Sequence, residues 1–247
     1  MYTSEEHKNI AMSKVELDLT YRCDRHCVAC SRCCAALPRE DSLSLADVEL
    51  FIKETKELDK KWRTIGLYGG EPTLHPDLLE ILELLRPLHE AGMAVHMGTN
   101  GAESFKRVKD RLPKWLGLVN TNKVTDNGSP HFFAFNVAPE DVGRWKEPYI
   151  VCDRYGCGIC LTPYGYYPCT VAGGLRPAFP ERIPDNFKTL HSVLERRDEF
   201  FGLLCKMCPM CGWYMVADGS TREYPHHYRS KSWRTAIAKF KDRSNKV

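Results

Sequence analysis

Several features that would assign a protein class are missing from this chain of 247 residues. The formal net charge is only +3, which gives little electrostatic reason to expect a nucleic acid partner. No apolar run approaches the roughly 20 residues that span a bilayer, and residues 1–9 are polar and mixed in charge, unlike a signal peptide. The sequence therefore predicts a cytoplasmic protein that binds neither nucleic acid nor membranes.

Cysteine, by contrast, is abundant. The chain has 12 cysteines in three groups of short spacing, a pattern that favours metal binding over disulfides where no export signal is found. The groups are Cys23, Cys27, Cys30, Cys33 and Cys34; Cys152, Cys157, Cys160 and Cys169; and Cys205, Cys208 and Cys211. Cys33 and Cys34 are interpreted as buried or tolerated thiols. For the last seven cysteines a structural zinc site stays open, because zinc accepts four thiolates from C-x2-C pairs.

The spacing of the first cysteine group indicates a reactive metal centre. Cys23, Cys27 and Cys30 form a C-x3-C-x2-C pattern directly after an alternating segment, residues 15–20, which predicts a strand. Three thiolates at this spacing can converge on one metal centre from a single loop and leave a fourth coordination position open. An open position is typical of a reactive centre and not of a structural one.

Predicted strands and helices alternate along the first 150 residues. Strands are expected at residues 15–20, 64–68, 94–97, 116–119 and 132–137, and helices at 45–58, 77–90 and 103–112. This alternation favours a parallel sheet, and the distinctive residues follow the strands at their C-terminal ends. The length predicts an α/β fold, a partial, open TIM-type β/α barrel of about five to six units.

The composition changes after residue 150, which predicts a second, smaller domain over residues 151–247. A β-hairpin is expected at residues 159–167, followed by an interrupted helix that leads from Leu190 into the last cysteine group. The basic tail, residues 229–246, is interpreted as a solvated terminus. The chain is thus divided into a barrel, residues 1–150, and a small C-terminal domain made of a β-hairpin and a helix.

The three-cysteine loop, together with Gly69-Gly70-Glu71-Pro72 and Thr99-Asn100-Gly101 after later strands, closely resembles the radical S-adenosylmethionine (SAM) enzymes. The resemblance implies a 4Fe-4S cluster on Cys23, Cys27 and Cys30, with SAM on the fourth iron as the source of a 5'-deoxyadenosyl radical. It also implies that the motif from Gly69 to Pro72, including Gly70 and Glu71, lies at the methionine end of SAM. Asn100 and Asn120 are candidates for the ribose or carboxylate of SAM, or for turn caps.

The later cysteines resemble the auxiliary-cluster domains called SPASM and, when short, twitch. The resemblance implies a second, auxiliary 4Fe-4S cluster. Its ligands would be Cys152, Cys169, Cys205 and Cys208. Two alternatives stay open: Cys157 in place of Cys152, and the pair Cys208 and Cys211 in place of Cys205 and Cys208.

Two outcomes of the radical chemistry stay open at this point. The short twitch-type dehydrogenases of aminoglycoside pathways, such as that of the butirosin pathway, oxidise an amino-cyclitol alcohol and pass an electron to the auxiliary cluster. Related epimerases take a hydrogen atom from a thiol, for which the candidates are Cys157, Cys160 and Cys211.

The expected substrate is a small aminosugar or cyclitol. A ribosomal peptide is less favoured, because only about fourteen residues precede the first strand and leave little room for a leader-recognition domain. The expected partner is a reducing electron donor such as flavodoxin or ferredoxin. A non-enzymatic iron-sulfur or zinc binding module is the alternative of another class.

Overall fold

The computed structural model describes residues 4–121, 135–145, 152, 156–216, 224–225 and 227–244. The strands are β1 Lys14–Thr20, β2 Thr64–Gly69, β3 Ala94–Thr99, β4 Gly117–Asn120, β5 Ile159–Thr162 and β6 Gly165–Tyr167. The helices are α1 Glu5–Met12, α2 Leu45–Glu57, α3 Leu78–Glu90, α4 Glu103–Val108, α5 Ala172–Leu175, α6 Leu190–Glu195, α7 Arg197–Gly202, α8 Leu204–Met207 and α9 Lys231–Ser244.

The strands form one six-stranded sheet in the order β4-β3-β2-β1-β5-β6. Strands β1 to β5 are parallel to their neighbours, and β6 runs antiparallel to β5. The described sheet has two edges, β4 and β6, and does not close into a barrel. The α/β fold with an open, partial barrel is therefore confirmed.

One face of the sheet forms the main hydrophobic core. On β1 the side chains of Val15, Leu17 and Leu19 are buried, as the alternating pattern predicts. They share a core with apolar residues of α2 and α3, such as Phe51 and Leu85. Helix α2 begins at the predicted position, because the Ser44 hydroxyl accepts a hydrogen bond from the backbone N–H of Asp47 and the Asp47 carboxylate accepts one from Ser44.

The other face of the sheet, called here the inner face, carries polar residues and glycines. The parallel register places Glu16 of β1 beside Gly66 of β2, and Gly66 beside His96 of β3. Two residues further along, Tyr68 and Gly98 lie on the same face. This face, and not the core face, offers polar groups to a bound molecule.

The predicted hairpin is β5 and β6, and it extends the main sheet. Strand β5 pairs with β1, with Val15 opposite Ile159 and Glu16 opposite Cys160. The division of the chain into residues 1–150 and 151–247 stays a prediction, but the sheet crosses it. Cys160 of β5 thus lies next to β1, the strand that leads into the first cysteine group.

The C-terminal tail was interpreted wrongly as a solvated terminus. Residues 231–244 form α9, in which Trp233, Ala236 and Ile237 are buried. The Trp233 indole N–H donates a hydrogen bond of 2.8 Å to the carbonyl of Met210. The apolar positions of α9 are few among many basic residues, so the amphipathic pattern was not recognised in the sequence. The packing of α9 against the turn at Met210 reveals it.

The predicted fifth strand was only partly testable. Its residues 132–134 lie outside the described residues, and 135–137 are turn and irregular backbone. At the other end of the chain, α1 was not predicted, although Ser4 caps it by accepting a hydrogen bond from the backbone N–H of His7.

Candidate active site

The three-cysteine loop is held closed at its base. The chain leaves β1 at Thr20, returns at Ser42, and pairs with β1 in antiparallel fashion there. The backbone N–H of Tyr21 donates to the carbonyl of Asp41, and that of Leu43 donates to the carbonyl of Leu19, both at 2.9 Å. The cysteine loop, residues 21–41, therefore starts and ends at the C-terminal end of β1, as the sequence predicts.

Arg39 fixes the path of the cysteine loop from within. Its guanidinium lies 3.8 Å from the centre of the Tyr21 ring and donates hydrogen bonds to three carbonyls, including that of Gly173 at 2.6 Å. It also donates to the hydroxyl of Tyr164, and the Tyr21 and Tyr164 rings stack at 6.0 Å. One cation thus joins the loop to the turn between β5 and β6 and to α5.

The three thiols fit an iron-sulfur cluster with an open position. Cys27 is buried while Cys23 and Cys30 are half-buried. Burial, together with the neighbouring charges of Cys30, Asp24 and Cys27, raises the pKa of Cys23 to about 11. Thiols of this kind ionise when a positively charged centre binds them, which is the chemistry of an iron ligand.

Gly69 and Gly70 allow two backbone segments to approach each other closely, a role that the sequence did not suggest. A Cβ atom on Gly69 would lie 2.3 Å from the Thr20 carbonyl oxygen, and one on Gly70 would lie 2.3 Å from that of Arg22. The Gly70 N–H donates to Thr20 at 2.7 Å. The glycines therefore allow the β2 turn to contact the start of the cysteine loop directly, and Gly69 also has a positive φ of 120°.

Glu71 is a buried hub between two strand ends. One carboxylate oxygen accepts hydrogen bonds from the hydroxyls of Thr73 and Thr99, at 2.7 and 3.0 Å. The other accepts from the backbone N–H of Asn100 at 2.8 Å. Its side chain has 0% exposure, and Pro72 begins the short 3-10 turn that follows it. The carboxylate thus ties β2 to β3, whereas the sequence placed it toward SAM.

The two asparagine candidates occupy different positions. Asn100 is 5% exposed, and its amide faces the cysteine loop. Asn120 is exposed at the end of β4, where its amide oxygen would lie 2.8 Å from a Cβ on Gly101. Of the two, Asn120 is the exposed one, and the register pairs it with Thr99 and not with the inner-face residues His96 and Gly98.

Tyr68 and His96 form a polar pair that the sequence analysis missed. The Tyr68 hydroxyl and His96 Nε2 are 3.1 Å apart, and the two rings meet edge to face at 5.6 Å. Gly66 and Gly98 make room for the Tyr68 ring, since Cβ atoms there would lie 2.7 and 2.2 Å from it. In the sequence, Tyr68 and His96 could have been recognised as the residues of β2 and β3 that alternate with the core positions.

The half of the inner face over β1 and β5 is covered. Arg32 donates to Asp18 at 3.1 Å and to Glu16 at 2.6 Å, and Asp18 also accepts from the Tyr21 hydroxyl at 2.9 Å. Cys160 is 0% exposed beside these charges, and burial raises the pKa of its thiol well above the ordinary value. Tyr68 and His96, which are half-buried, therefore mark the accessible half of the face.

A second cysteine group encloses a small cavity of about 20 Å³. Four cysteines line it: Cys152, Cys169, Cys208 and Cys211. The remaining lining residues are Val171, Leu175, Met207, Trp213 and Tyr214. Burial and the charges of its cysteine neighbours raise the pKa of the Cys211 thiol well above the ordinary value. Four converging thiols within an apolar shell fit the ligand set of a cubane cluster.

The remaining predicted cysteines lie away from this cavity lining. Cys205 was predicted as a ligand, but it is half-buried on α8 and does not line the cavity, where Cys211 stands instead. Cys157 is half-buried and close enough to Cys169 for its charge to raise the pKa of that thiol. In the first group, Cys33 and Cys34 are both buried, as expected.

Two further findings concern what the described residues do not contain. In the described ranges, no three His, Cys, Asp or Glu side chains converge on a point that would hold a single metal ion. A cubane cluster differs from a single ion because its thiolates bind separate irons at the corners of the cluster. Also within these ranges, no helix combines the length and the apolar character needed to cross a membrane.

Known proteins are similar to parts of this chain. Residues 17–118 match the Radical SAM superfamily. A probable GTP 3',8-cyclase of Methanothermobacter thermautotrophicus is 25% identical over 147 residues, which are 60% of this chain and 46% of that protein. The Bos taurus molybdenum cofactor biosynthesis protein 1 is 33% identical over 131 residues, 51% of this chain and 19% of that protein. The chain thus spans less than half the length of these curated relatives.

The fold also resembles a solved structure. The crystal structure of BtrN in complex with AdoMet and 2-DOIA superposes with a TM-score of 0.54 at 13% sequence identity, over 81% of this chain and 93% of BtrN. At this identity the likeness concerns the fold. The matched segment contains Cys23, Cys27 and Cys30 and the strands that hold their loop, and the cofactors of such a domain are a 4Fe-4S cluster and SAM. Residues 17–118 of this chain are therefore similar to a radical SAM domain.

Proposed function

We propose that the chain is a radical SAM dehydrogenase that oxidises an alcohol carbon of a small polyol or aminosugar. The observation that carries the proposal is the cavity lined by Cys152, Cys169, Cys208 and Cys211. It offers a closed set of four thiols, in a chain whose other cysteine loop offers three. A second 4Fe-4S cluster there would accept the electron that an alcohol oxidation releases.

The proposed ligands of the auxiliary cluster are the four cavity cysteines. This choice replaces Cys205 with Cys211 and keeps the C-x2-C spacing, now between Cys208 and Cys211. Cys208 begins a 3-10 turn, residues Cys208–Met210, and Cys211 directly follows it; α9 holds this turn through the bond from Trp233. The cysteine pair is therefore fixed by packing before any metal binds.

The proposed substrate lies on the accessible half of the inner face, against Tyr68 and His96. Burial lowers the pKa of His96 below its ordinary value, so its imidazole is neutral near pH 7. A neutral imidazole and a phenol hydroxyl suit a polar molecule that carries hydroxyl groups. The likeness in fold to BtrN, whose structure holds 2-DOIA, supports a substrate of similar size.

The proposed reaction balances as follows. A reduced cluster held by Cys23, Cys27 and Cys30, together with SAM, would supply the radical that removes a hydrogen atom from the carbon bearing the hydroxyl. His96 would accept the hydroxyl proton, and Cys152, Cys169, Cys208 and Cys211 would hold the cluster that takes up the remaining electron. The product is a ketone two hydrogens lighter than the substrate. The first cluster would be reduced by a flavodoxin or ferredoxin.

Epimerisation is less well supported, because its candidate thiols have other positions. Cys211 lines the cluster cavity, and Cys160 is fully buried beside Arg32 and Asp18. Cys157 is half-buried near Cys169. A hydrogen donor must reach the substrate radical on an accessible face, and none of the three lies with Tyr68 and His96.

The similarity to GTP 3',8-cyclases supports the radical-generating step of the proposed reaction. It gives less support to a cyclisation. The shared segment covers 46% and 19% of the two relatives described above. The name of the Methanothermobacter thermautotrophicus relative describes a cyclisation of GTP. GTP is therefore the natural competing substrate in any test.

The test is an anaerobic assay of the reconstituted protein with SAM and dithionite, offered 2-DOIA or GTP in parallel. We expect 5'-deoxyadenosine with either addition, and with 2-DOIA a product two mass units lighter. Substrate deuterated at the reacting carbon should transfer its label to 5'-deoxyadenosine.

Other results would contradict the proposal in separate ways. Absence of 5'-deoxyadenosine, with iron content verified, would exclude the radical chemistry. A cyclised product from GTP would favour the relatives' reaction. A product of unchanged mass that carries solvent deuterium would establish epimerisation.

A further inference from the structure

We infer that Asn100 and Asp24 form an outer hydrogen-bonding shell that positions Cys23 and sets the reduction potential of the first cluster. The inference deepens the proposed function, since it rests on a cluster bound by the three-cysteine loop. It assigns Asn100 to the protein's own ligand loop and Asp24 to a role that the sequence motif does not suggest.

The Asn100 amide is directed at the cysteine loop by its own bonds. Its oxygen accepts a hydrogen bond of 2.7 Å from the backbone N–H of Ala102. Its nitrogen therefore faces the other way, where it donates to an Asp24 carboxylate oxygen at 2.8 Å and lies 3.8 Å from Cys23 Sγ. The backbone N–H of Asn100 is held by Glu71 at 2.8 Å, so the residue is fixed on both sides.

Asp24 joins this amide to the start of α4. Its second carboxylate oxygen accepts from the Ser104 hydroxyl at 2.7 Å and from the Ser104 backbone N–H at 3.3 Å. The Ser104 hydroxyl oxygen also lies 3.0 Å from that of Thr73, whose proton is donated to Glu71. Asp24 directly follows Cys23, so this network fastens the first ligand of the loop to the end of β3 and the start of α4.

The network bears on the cluster through charge as well as position. A donor to a ligand sulfur stabilises the reduced, more negative state of an iron-sulfur cluster and raises its reduction potential. The Asn100 amide is such a donor, and the Asp24 carboxylate is a negative charge that acts in the opposite sense. Removing each should therefore shift the potential in opposite directions.

On this inference, Asn100 acts on the protein's own cysteine loop instead of binding SAM directly. Its amide oxygen is used by Ala102, and its nitrogen is used by Asp24 and Cys23. Its 5% exposure leaves little surface for a cofactor. Asn100 is a positioning residue in this scheme, acting on the cluster through Cys23.

The test is a redox titration of the reconstituted holoprotein, followed by electron paramagnetic resonance. The signal to follow is the one that changes when SAM is added, because only the first cluster has an open iron. Asn100→Ala should lower the midpoint potential of that signal, and Asp24→Asn should raise it. Ser104→Ala, which removes one bond to Asp24 and none to sulfur, should give the smallest shift.

Two variants serve as controls. Asn9→Ala removes an asparagine on α1 that bonds Arg197, and it should leave the potential unchanged. Asn100→Asp keeps the shape and the acceptor for Ala102 but loses the donor. If Asn100→Ala fails to retain iron, Asn100→Asp should still show the lowered potential, with the signal of the second cluster reporting a folded chain.

The inference is overturned if Asn100→Asp and Asp24→Asn both keep the potential and the signal shape of the unchanged protein. It is also overturned if both variants shift the potential in the same direction by similar amounts, since that would indicate a general disturbance. A protein without any SAM-sensitive signal would instead contradict the proposed function, which keeps the two failures distinct.

Discussion

The two cysteine sites of this chain differ in how they are enclosed. The cysteine loop presents the thiols of Cys23, Cys27 and Cys30, two of them half-buried, and is held by hydrogen bonds and one stacked arginine. The cavity is lined by four thiols, with Met207, Trp213 and Tyr214 among its walls. A site that must admit a cofactor needs an open side, whereas a site that only exchanges electrons can be sealed.

The same contrast holds for the forces that support each site. Around the loop, Glu71, Asn100 and Asp24 make directional hydrogen bonds with donor–acceptor distances of 2.7 to 3.3 Å. Around the cavity the support is packing, with Trp233 buried against Phe135 and Phe179. Polar networks fix orientation and apolar packing excludes water, so each site has the support its chemistry requires.

Removing one cavity thiol should separate the two sites most sharply. Cys208→Ala should reduce the iron content from about eight to about four per chain, because one of two 4Fe-4S clusters loses a ligand. SAM cleavage should continue while formation of the oxidised product is lost. Iron analysis and product mass spectrometry check both. Cys205→Ala is the matched control, and a loss of iron there equal to that of Cys208→Ala would refute the ligand set.

His96→Gln should impair the substrate step and leave both clusters intact. Loss of a proton acceptor costs about 10²-fold in rate in typical enzymes, so ketone formation should fall by roughly that factor while iron content is unchanged. His191→Gln, on the exposed surface near Glu57, should have no effect. Equal effects of the two changes would remove His96 from the reaction.

The pH dependence of the unchanged protein offers a second check on His96. Burial lowers the pKa of His96 below 6.5, so the imidazole gains its proton only as the pH falls beneath that value. Ketone formation should therefore be steady near neutral pH and decline in acid below the ordinary pKa. His96→Gln should abolish that acidic decline.

Gly70→Ala should disturb the cysteine loop alone. The added Cβ would lie 2.3 Å from the Arg22 carbonyl oxygen, so the β2 turn and the loop must move apart. Overpacking of this kind costs about 1–3 kcal/mol, which should appear as a lower free energy of unfolding and weaker retention of the first cluster. Gly202→Ala, where a Cβ meets nothing within 4 Å, is the control. Unchanged stability in Gly70→Ala would mean that the close approach can relax freely.

Local patterns in the sequence were sufficient to predict strands and helices in the first half of the fold. The alternation of residues 15–20 predicts β1, and the Ser44 cap with its helical spacing predicts α2, because both signals depend on neighbours in the chain. The tail was misjudged because the apolar stripe of Trp233, Ala236 and Ile237 is short among many basic residues. Its partner, the turn around Met210, is distant in sequence.

The functional site divides in the same way. The spacing of Cys23, Cys27 and Cys30 predicts a common loop, since three residues so close in sequence can converge without help from the fold. The role of Glu71 and Asn100 was not predictable, because their partners lie on other strands. For the same reason Tyr68 and His96 were missed, as they meet only through the register of β2 and β3.

By itself the sequence determined the open three-thiol loop and the alternating strands that carry it, because both follow from spacing along the chain. Only the tertiary structure decided which of Cys205 and Cys211 lines the second cavity, and which polar groups remain accessible on the inner face. Two C-x2-C pairs within seven residues are equivalent in spacing. They differ only in where the turn at Cys208–Met210, held by α9, directs each sulfur.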